Sequence, residues 1–368
     1  MNHAMRKSID FTRAPFTVIW EVTRACDLRC RHCRADAQPE PDPRELTTAE
    51  GRRLLEQIRD LGGPVFVITG GDPLKRPDLF RLIDHATRIG LPVALTPSGT
   101  PLLTREAIQH AHDAGARRIA LSLDGSSAAN HDRFRQQPGS YAWTVGAVRH
   151  AVDLGVSVQV NTTVTRHNLG ELEAIADVIA GLGVGMWSLF FLVTVGRARR
   201  DDQLQPAECE GVFAFLYDLS RRAPFAVRTT AAPHYRRFVL QRRAAERRAG
   251  RREPVPWLAG MIEPRAPRGV TDGNGIVFIS HTGEVYPSGF LPLRAGNVRE
   301  QPLATIYRNA PILRRLRDTE QLGGKCGVCE FRRVCGGSRA RAFATTGDPM
   351  ASDPLCAYEP SRRRPTAA

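Results

Sequence analysis

Cys26-Asp27-Leu28-Arg29-Cys30-Arg31-His32-Cys33 places three thiols in one short stretch, with three and then two residues between them. It directly follows the strand-like run Phe16-Thr17-Val18-Ile19-Trp20-Glu21-Val22. Thiolates are soft ligands that favour iron–sulfur clusters and zinc. Spacers of three and then two residues can bring all three sulfurs to one face of a cubane, and a loop that does so cannot be regular helix. Three cysteines leave one iron of a [4Fe–4S] cubane without a protein ligand, and an open iron can bind a substrate. The alternative is a closed Cys₃His zinc site completed by His32.

From Phe16 to about Leu219, short β-rich runs alternate with amphipathic helical ones. Strands are expected at residues 16–22, 65–69, 92–95, 118–123, 157–164 and 186–193. Helices are expected near 47–61, 77–89, 104–114, 141–154, 169–182 and 206–220. Successive β-α units joined by short polar loops imply a parallel sheet with right-handed crossovers. Six units fit an open, partial (β/α)6 barrel better than a closed eight-unit one, so the fold class is α/β. Chemistry in such sheets gathers at the C-terminal ends of the strands, where the three cysteines fall.

Other polar residues fall at the same end. Gly70-Gly71-Asp72-Pro73 follows the second strand, where glycines allow close approach to the main chain and proline stops pairing; it is also good turn chemistry. Thr96-Pro97-Ser98-Gly99 follows the third. The fourth ends Ser122-Leu123-Asp124-Gly125, and a period of two puts Ser122 and Asp124 on one face, suited to a ribose diol or an amino-acid group. Arg135 could form a bidentate fork with a carboxylate or simply lie on the surface. Asn161, within the fifth strand, is a further candidate, against the plainer reading of a satisfied strand polar group.

Together these elements resemble the radical S-adenosylmethionine (SAM) superfamily. Gly70-Gly71-Asp72-Pro73 is similar to its Gly-Gly-Glu-Pro element, with Asp72 for Glu; Thr96-Pro97-Ser98-Gly99 is similar to Ser-Thr-Asn-Gly; and Ser122-Leu123-Asp124-Gly125 matches outright. The resemblance implies that SAM chelates the open iron of a cluster held by Cys26, Cys30 and Cys33. An electron then cleaves SAM to a 5′-deoxyadenosyl radical that abstracts hydrogen from substrate. It further implies SAM contacts from Gly70, Gly71, Asp72, Pro73, Ser98, Ser122, Asp124, Arg135 and Asn161.

Residues 224–271 shift to Arg, Pro and Ala and read as a linking region with few strands. Within it, His234, Tyr235, Arg236 and Arg237 could face the barrel mouth, though a helix started at Pro233 is the favoured reading. Residues 276–279 and 285–287 around His281-Thr282-Gly283-Glu284 read as a β-hairpin. Cys326, Cys329, Cys335 and Cys356 follow, at intervals of two, five and twenty residues. Four thiolates close a site around iron–sulfur or zinc, and spacing alone does not separate the two. Beside the first array, the set resembles the auxiliary-cluster domain of the SPASM and twitch branch, which implies a second [4Fe–4S] cluster. Ser288 stands where that domain has a cysteine, and Ser338 and Arg339 occupy the region of another, so one auxiliary cluster is expected. The chain then divides into a core barrel at 14–222, an Arg-rich bridging region at 223–270 and a SPASM/twitch-like domain at 271–360.

The chain has 368 residues, 42% of them hydrophobic, enough for one large and one small domain. No signal-like h-region or membrane-length apolar run is present, so a soluble, cytoplasmic protein is expected. Disulfides are then disfavoured, and Cys209 reads as a buried filler. A net charge of +14 suggests a polyanionic partner. Only Lys7, Lys75 and Lys325 are lysine, however, and such Arg and Ala usage reflects base composition as much as charge. The one dense basic run, 242–252, reads as a solvated helix end.

Three functions are weighed. A radical SAM enzyme acting on a tetrapyrrole, in the manner of the haem and haem d₁ synthesis enzymes, fits the reduced cysteine set, and arginines at the barrel mouth would suit its propionates. A maturase of a ribosomal peptide, like those of pyrroloquinoline quinone and mycofactocin, shares the chemistry and differs in substrate. Either would draw electrons from a reductant such as flavodoxin or ferredoxin, with no membrane or nucleic-acid partner. A non-catalytic, metal-stabilised nucleic-acid binder fails on the barrel pattern and lacks an aromatic-interleaved basic platform.

Overall fold

The computed structural model describes residues 10–250 and 269–361. The chain runs through β1 (Thr17–Glu21), α1 (Thr48–Asp60), β2 (Val65–Thr69), α2 (Leu79–Arg88), β3 (Val93–Leu95), α3 (Arg105–Asp113), β4 (Arg118–Ser122) and α4 (Ala128–Arg135). Next come α5 (Ser140–Asp153), β5 (Ser157–Val164), α6 (Leu172–Gly181), β6 (Met186–Phe191), α7 (Pro206–Arg222), β7 (Ala226–Thr230) and α8 (His234–Arg248). The remainder forms β8 (Ile276–Ile279), β9 (Glu284–Tyr286), β10 (Gly296–Asn297), α9 (Leu303–Asn309), α10 (Pro311–Arg317), α11 (Gly324–Val328) and α12 (Arg339–Thr346). All described strands join one sheet in the order β10-β9-β8-β1-β2-β3-β4-β5-β6-β7. It is parallel from β8 through β1 to β7, and it stays open, with β7 and β10 as its edges.

The two faces of the sheet follow from strand alternation. Val18, Trp20, Phe66 and Ile68 face outward and pack with Leu54, Leu55, Ile58, Leu82 and Ile83 of α1 and α2. Ile119, Leu121, Val158, Val160, Trp187 and Leu189 do the same against Val148, Ile175, Phe213 and Tyr217. The opposite, inward face carries Ser122, Asn161, Ser188 and Arg228 in one hydrogen-bonded register row. Helix starts carry their own signals: Thr47 and Glu50 form a capping box on α1, and Thr104 caps α3. Cys209 is fully buried in the core. Among the described residues no helix is long and apolar enough to cross a membrane.

The six expected β-α units are present, and the stretch read as poor in strands needs correction. Residues 226–230 form β7, which pairs in parallel with β6, and α8 covers it. The Arg-, Pro- and Ala-rich composition hides this unit, which reaches the core through scattered residues: Phe225, Val227, Ala232, Tyr235 and Val239. α8 begins directly after Pro233, and His234, Tyr235 and Arg237 turn into the protein rather than toward the barrel mouth. Its last turns are the solvated basic end; the remainder of the basic run, Arg251 and Arg252, and the rest of the bridging region to residue 268 lie outside the described residues.

The C-terminal part is sewn onto the barrel. β8 pairs in parallel with β1, and the expected β8–β9 hairpin forms. Arg341 of α12 is fully buried; its Nη1 donates to both Asp353 carboxylate oxygens at 3.1 Å. Its other nitrogens donate to the carbonyls of Phe191, which ends β6, and of Leu192 and Ala231, one residue past β6 and β7. Beside this pair His234, with no exposed surface, lies 3.6 Å from Asp353, and neither ring nitrogen has a hydrogen-bond partner. Burial, opposed by Asp353, pushes its pKa down to about 4.

The loops that follow β1 and β2 interlock. Gly71 N–H donates to Thr23 O at 2.8 Å and Asp72 N–H to Ala25 O at 2.6 Å. A Cβ at Gly71 would lie 2.4 Å from Ala25 O and 2.6 Å from Arg24 O, backbone atoms that cannot swing aside.

Gly71→Ala should therefore destabilise the fold by about 1–3 kcal/mol, the range for overpacking. Gly146→Ala, in α5 with nothing within 4 Å of the added methyl, should be neutral or stabilising. Thermal melts of the two variants check this; equal melting temperatures would refute the backbone clash. For His234, the unfolded chain takes up a proton below the ordinary value of 6.5 and the folded protein only near 4. Between these values the unfolded state binds more protons, so stability falls as pH drops through 6.5 toward 4. Urea unfolding at about pH 7.5 and about pH 5.5 should show His234→Gln losing about 1 kcal/mol less than wild type.

Candidate active site

The three cysteines after β1 line a cavity of about 190 Å³ at the C-terminal ends of the strands. Gly70, Gly71, Ser98, Ser122 and Arg135 line it too, so strand ends far apart in sequence converge as the parallel topology requires. The sulfurs are met by hydrogen-bond donors. Leu28 N–H donates to Cys26 Sγ at 3.4 Å, Arg135 to Cys30 Sγ at 3.5 Å and Ala37 N–H to Cys33 Sγ at 3.5 Å. Ser98 Oγ donates to Gly71 O at 2.9 Å and lies 3.5 Å from Cys26 Sγ, fixing the third strand's loop against the other two.

Burial pushes the Cys26 thiol up to about 11 and raises Cys30 as well, Arg135 opposing the shift at Cys30. Bare thiols here hold their protons; a bound metal centre, by its charge, would make them thiolates. His32 and Arg135 line the cavity, and His32 Nδ1 and Arg135 Nε are buried without a hydrogen-bond partner. Among the described residues no three His, Cys, Asp or Glu side chains close around a single metal ion, and His32 instead stacks on Phe134 at 4.4 Å. Sulfurs spaced around a cavity with unspent polar groups fit a multi-iron cluster and a polar ligand.

Four of the sequence-derived candidates do not reach the cavity wall. Asp124 lies beyond the end of β4, where strand alternation no longer applies, and its carboxylate turns inward. It accepts from Thr163 N–H at 2.6 Å and pairs with Arg135 at 2.5 Å. Burial alone would raise its pKa, but Arg135 and His32 outweigh it and hold the carboxyl below the ordinary value. Asp124 thus orients Arg135 instead of sharing a ligand with Ser122. Asp72 is also spent internally, accepting from Thr100 Oγ1 at 2.8 Å and Leu74 N–H at 3.2 Å. Pro73 opens a short 3₁₀ turn, and Asn161 sits below the cavity, accepting from Gln159 at 2.7 Å.

Several cavity residues escaped sequence reasoning: Arg34, His131, Thr163, Phe190 and Phe290. Thr163 had a signal, being two residues past Asn161 on the same strand face. His131 accepts from Asp124 N–H at 3.1 Å through Nδ1, which leaves its Nε2 as the donor. Arg34 donates to the buried Glu21 at 2.8 Å, and Phe290 reaches in from the C-terminal part; neither contact has a local sequence signature.

A second, smaller cavity is lined by Cys326, Cys329, Cys335 and Cys356, together with Arg237 and Tyr358. Backbone N–H groups of Asp353, Phe331 and Gly337 donate to the first three sulfurs at 3.4–3.5 Å, and Arg339 adds a contact to Cys326 at 3.7 Å. Gly337 has φ +66°, and a Cβ there would crowd Arg339 and Cys326, so the turn after Cys335 demands glycine. Burial pushes Cys335 up to about 12 and raises Cys329 and Cys356. Ser288 and Ser338, at the expected cysteine positions, accept from Phe290 and Arg341 N–H groups instead. The four thiols fit one closed cluster.

Known proteins extend this picture. The Radical SAM superfamily model matches residues 20–179. An AdoMet-dependent heme synthase of Nitratidesulfovibrio vulgaris is 41% identical across 95% of this chain and 94% of its own length. A pre-heme d1 synthase of Dinoroseobacter shibae is 31% identical across 92% of this chain and 85% of its own length. A PqqA peptide cyclase of Rhodopseudomonas palustris is 29% identical across 95% of this chain and 89% of its own length. The structure of Streptococcus suis SuiB bound to S-adenosylmethionine shares the fold, with TM-score 0.71 at 15% identity over 94% of this chain and 78% of that one. With a cysteine loop at the strand ends and full-length similarity of this degree, the chain belongs to the radical SAM superfamily.

Proposed function

We propose that this enzyme modifies a carboxylate-bearing tetrapyrrole, as a haem-synthesis enzyme. The observation that carries the reading is the gradient of similarity at nearly full length: 41% to an AdoMet-dependent heme synthase against 29% to a peptide cyclase. The reduced cysteine set, with serines at 288 and 338, supports the same side.

In this reading Cys26, Cys30 and Cys33 hold the catalytic [4Fe–4S] cluster, and Cys326, Cys329, Cys335 and Cys356 hold the auxiliary one. When bound, the first cluster and SAM supply the electron and the hydrogen-abstracting radical. The Gly70 and Gly71 main chain, Ser98, Ser122 and Arg135 bind SAM, and Asp124 positions Arg135. The interlocked loops after β1 and β2 fix the cysteines, while the Phe190 and Phe290 side of the cavity excludes water from the substrate. Residues 14–222 perform the cleavage chemistry, and 271–360 carry the second centre. A reduced flavodoxin or ferredoxin delivers the electrons, in the cytoplasm.

Anaerobically reconstituted protein should hold about eight irons with matching sulfide, two four-iron clusters by ligand count. The Cys26→Ala, Cys30→Ala, Cys33→Ala triple variant should keep about four and form no 5′-deoxyadenosine. Zinc with negligible sulfide would sink the cluster assignment. With iron coproporphyrin III the wild type should consume SAM and change the mass of the tetrapyrrole. Turnover with a peptide substrate and none with tetrapyrroles would transfer the enzyme to the maturase class.

A further inference from the structure

Arg228 is a cation on the inner face of the barrel that the chemistry described above does not use. It lies on β7, whose Val227 packs among the outward core residues, so Arg228 faces the barrel interior with Ala226 and Thr230. The register places it opposite Ser188 of β6, which itself lies opposite Asn161 of β5 and then Ser122 of β4, a residue of the cavity wall. One pleat higher, Thr230 pairs with Phe190, also of that wall. β7 is the edge of the open sheet, so Arg228 sits on the strand that borders the open side of the barrel.

The side chain is partly buried, yet among the described residues no carboxylate pairs with it and no hydrogen bond reaches it. The charged group it does feel is another cation, Arg118 of β4, which bonds Ser157 Oγ at 3.3 Å. An arginine stays charged under all ordinary conditions, and a partly desolvated guanidinium without a counter-ion is unfavourable unless an anion arrives beside it. The arginines that line the cavity are committed: Arg34 to Glu21 and Arg135 to Asp124.

We propose that Arg228 is a carboxylate-binding site inside the barrel that anchors an anionic side group of the substrate. A flat apolar ring resting on Phe190 and Phe290, whose centroids are 6.3 Å apart, would lower such a group along the inner face of β7 to the guanidinium. The ring's identity rests on the tetrapyrrole reading; the anion site does not.

The test pairs two probes with three proteins: wild type, Arg228→Gln and Arg228→Lys, all with both clusters reconstituted. Absorbance titration with iron coproporphyrin III and with its tetramethyl ester should show wild type preferring the acid by about tenfold or more, as a charge-assisted pair implies. Arg228→Gln should lose most of that preference and Arg228→Lys keep part of it. Calorimetry with benzene-1,3,5-tricarboxylate should give the same order without any tetrapyrrole. Retention of the full acid preference by Arg228→Gln overturns the anion site and leaves the tetrapyrrole reading standing. Binding of the tricarboxylate through Arg228 with no tetrapyrrole binding does the reverse. Binding of neither probe by wild type removes both. If Arg228→Gln melts well below wild type, Arg228→Lys and the acid-to-ester ratio of wild type decide the matter.

Discussion

The Arg341–Asp353 pair is the constraint on which the two halves of the molecule depend. Both side chains are without exposed surface, and the guanidinium spends its remaining donors on the carbonyls that end β6 and β7. Removing one partner of a buried pair leaves an uncompensated charge and typically costs about 3–5 kcal/mol. Asp353 also accepts the N–H of Ser338, which caps α12, and its own N–H points at Cys326. A single carboxylate thereby sets the barrel mouth, the start of α12 and one corner of the second cysteine site. Packing alone would allow these parts to slide; a fork that must find five acceptors allows one arrangement.

The polar inner face has a different logic. A barrel filled with apolar side chains would be more stable, yet here Ser122, Asn161, Ser188 and Arg228 run across four strands. Outside, the same strands are continuous with two apolar cores that hold the sheet to its helices. The inner face is thus released from the work of stability and kept polar. Buried polar groups of this kind are retained where a ligand completes them.

Local signals carried much of this structure. The spacing of Cys26, Cys30 and Cys33 after an apolar run, and the alternation of β and α patterns to residue 219, contain the barrel and its reactive end. Ser98, Ser122 and Arg135 were also visible, as polar groups at strand ends that the topology then gathered. Asp124 misled because the period of two was extended past Ser122, where the strand stops and the chain turns the carboxylate inward toward Arg135. β7 was hidden by composition: a strand with few apolar residues looks like a linker until a parallel partner satisfies its main chain. Phe290 and Arg34 reach the cavity through tertiary packing, which leaves no local trace.

The pairing of β8 with β1 joins Ile276 to Thr17, across most of the chain's length. A ribosome releases the first strand long before its outer partner, so β1 waits as an unprotected sheet edge while the rest of the barrel is made. Contacts so distant in sequence raise the contact order and slow folding. The loop that bears Cys26, Cys30 and Cys33 hangs from that waiting strand. A chain whose synthesis outruns its folding therefore exposes the β1 edge and the cysteine loop together, and should aggregate through that edge.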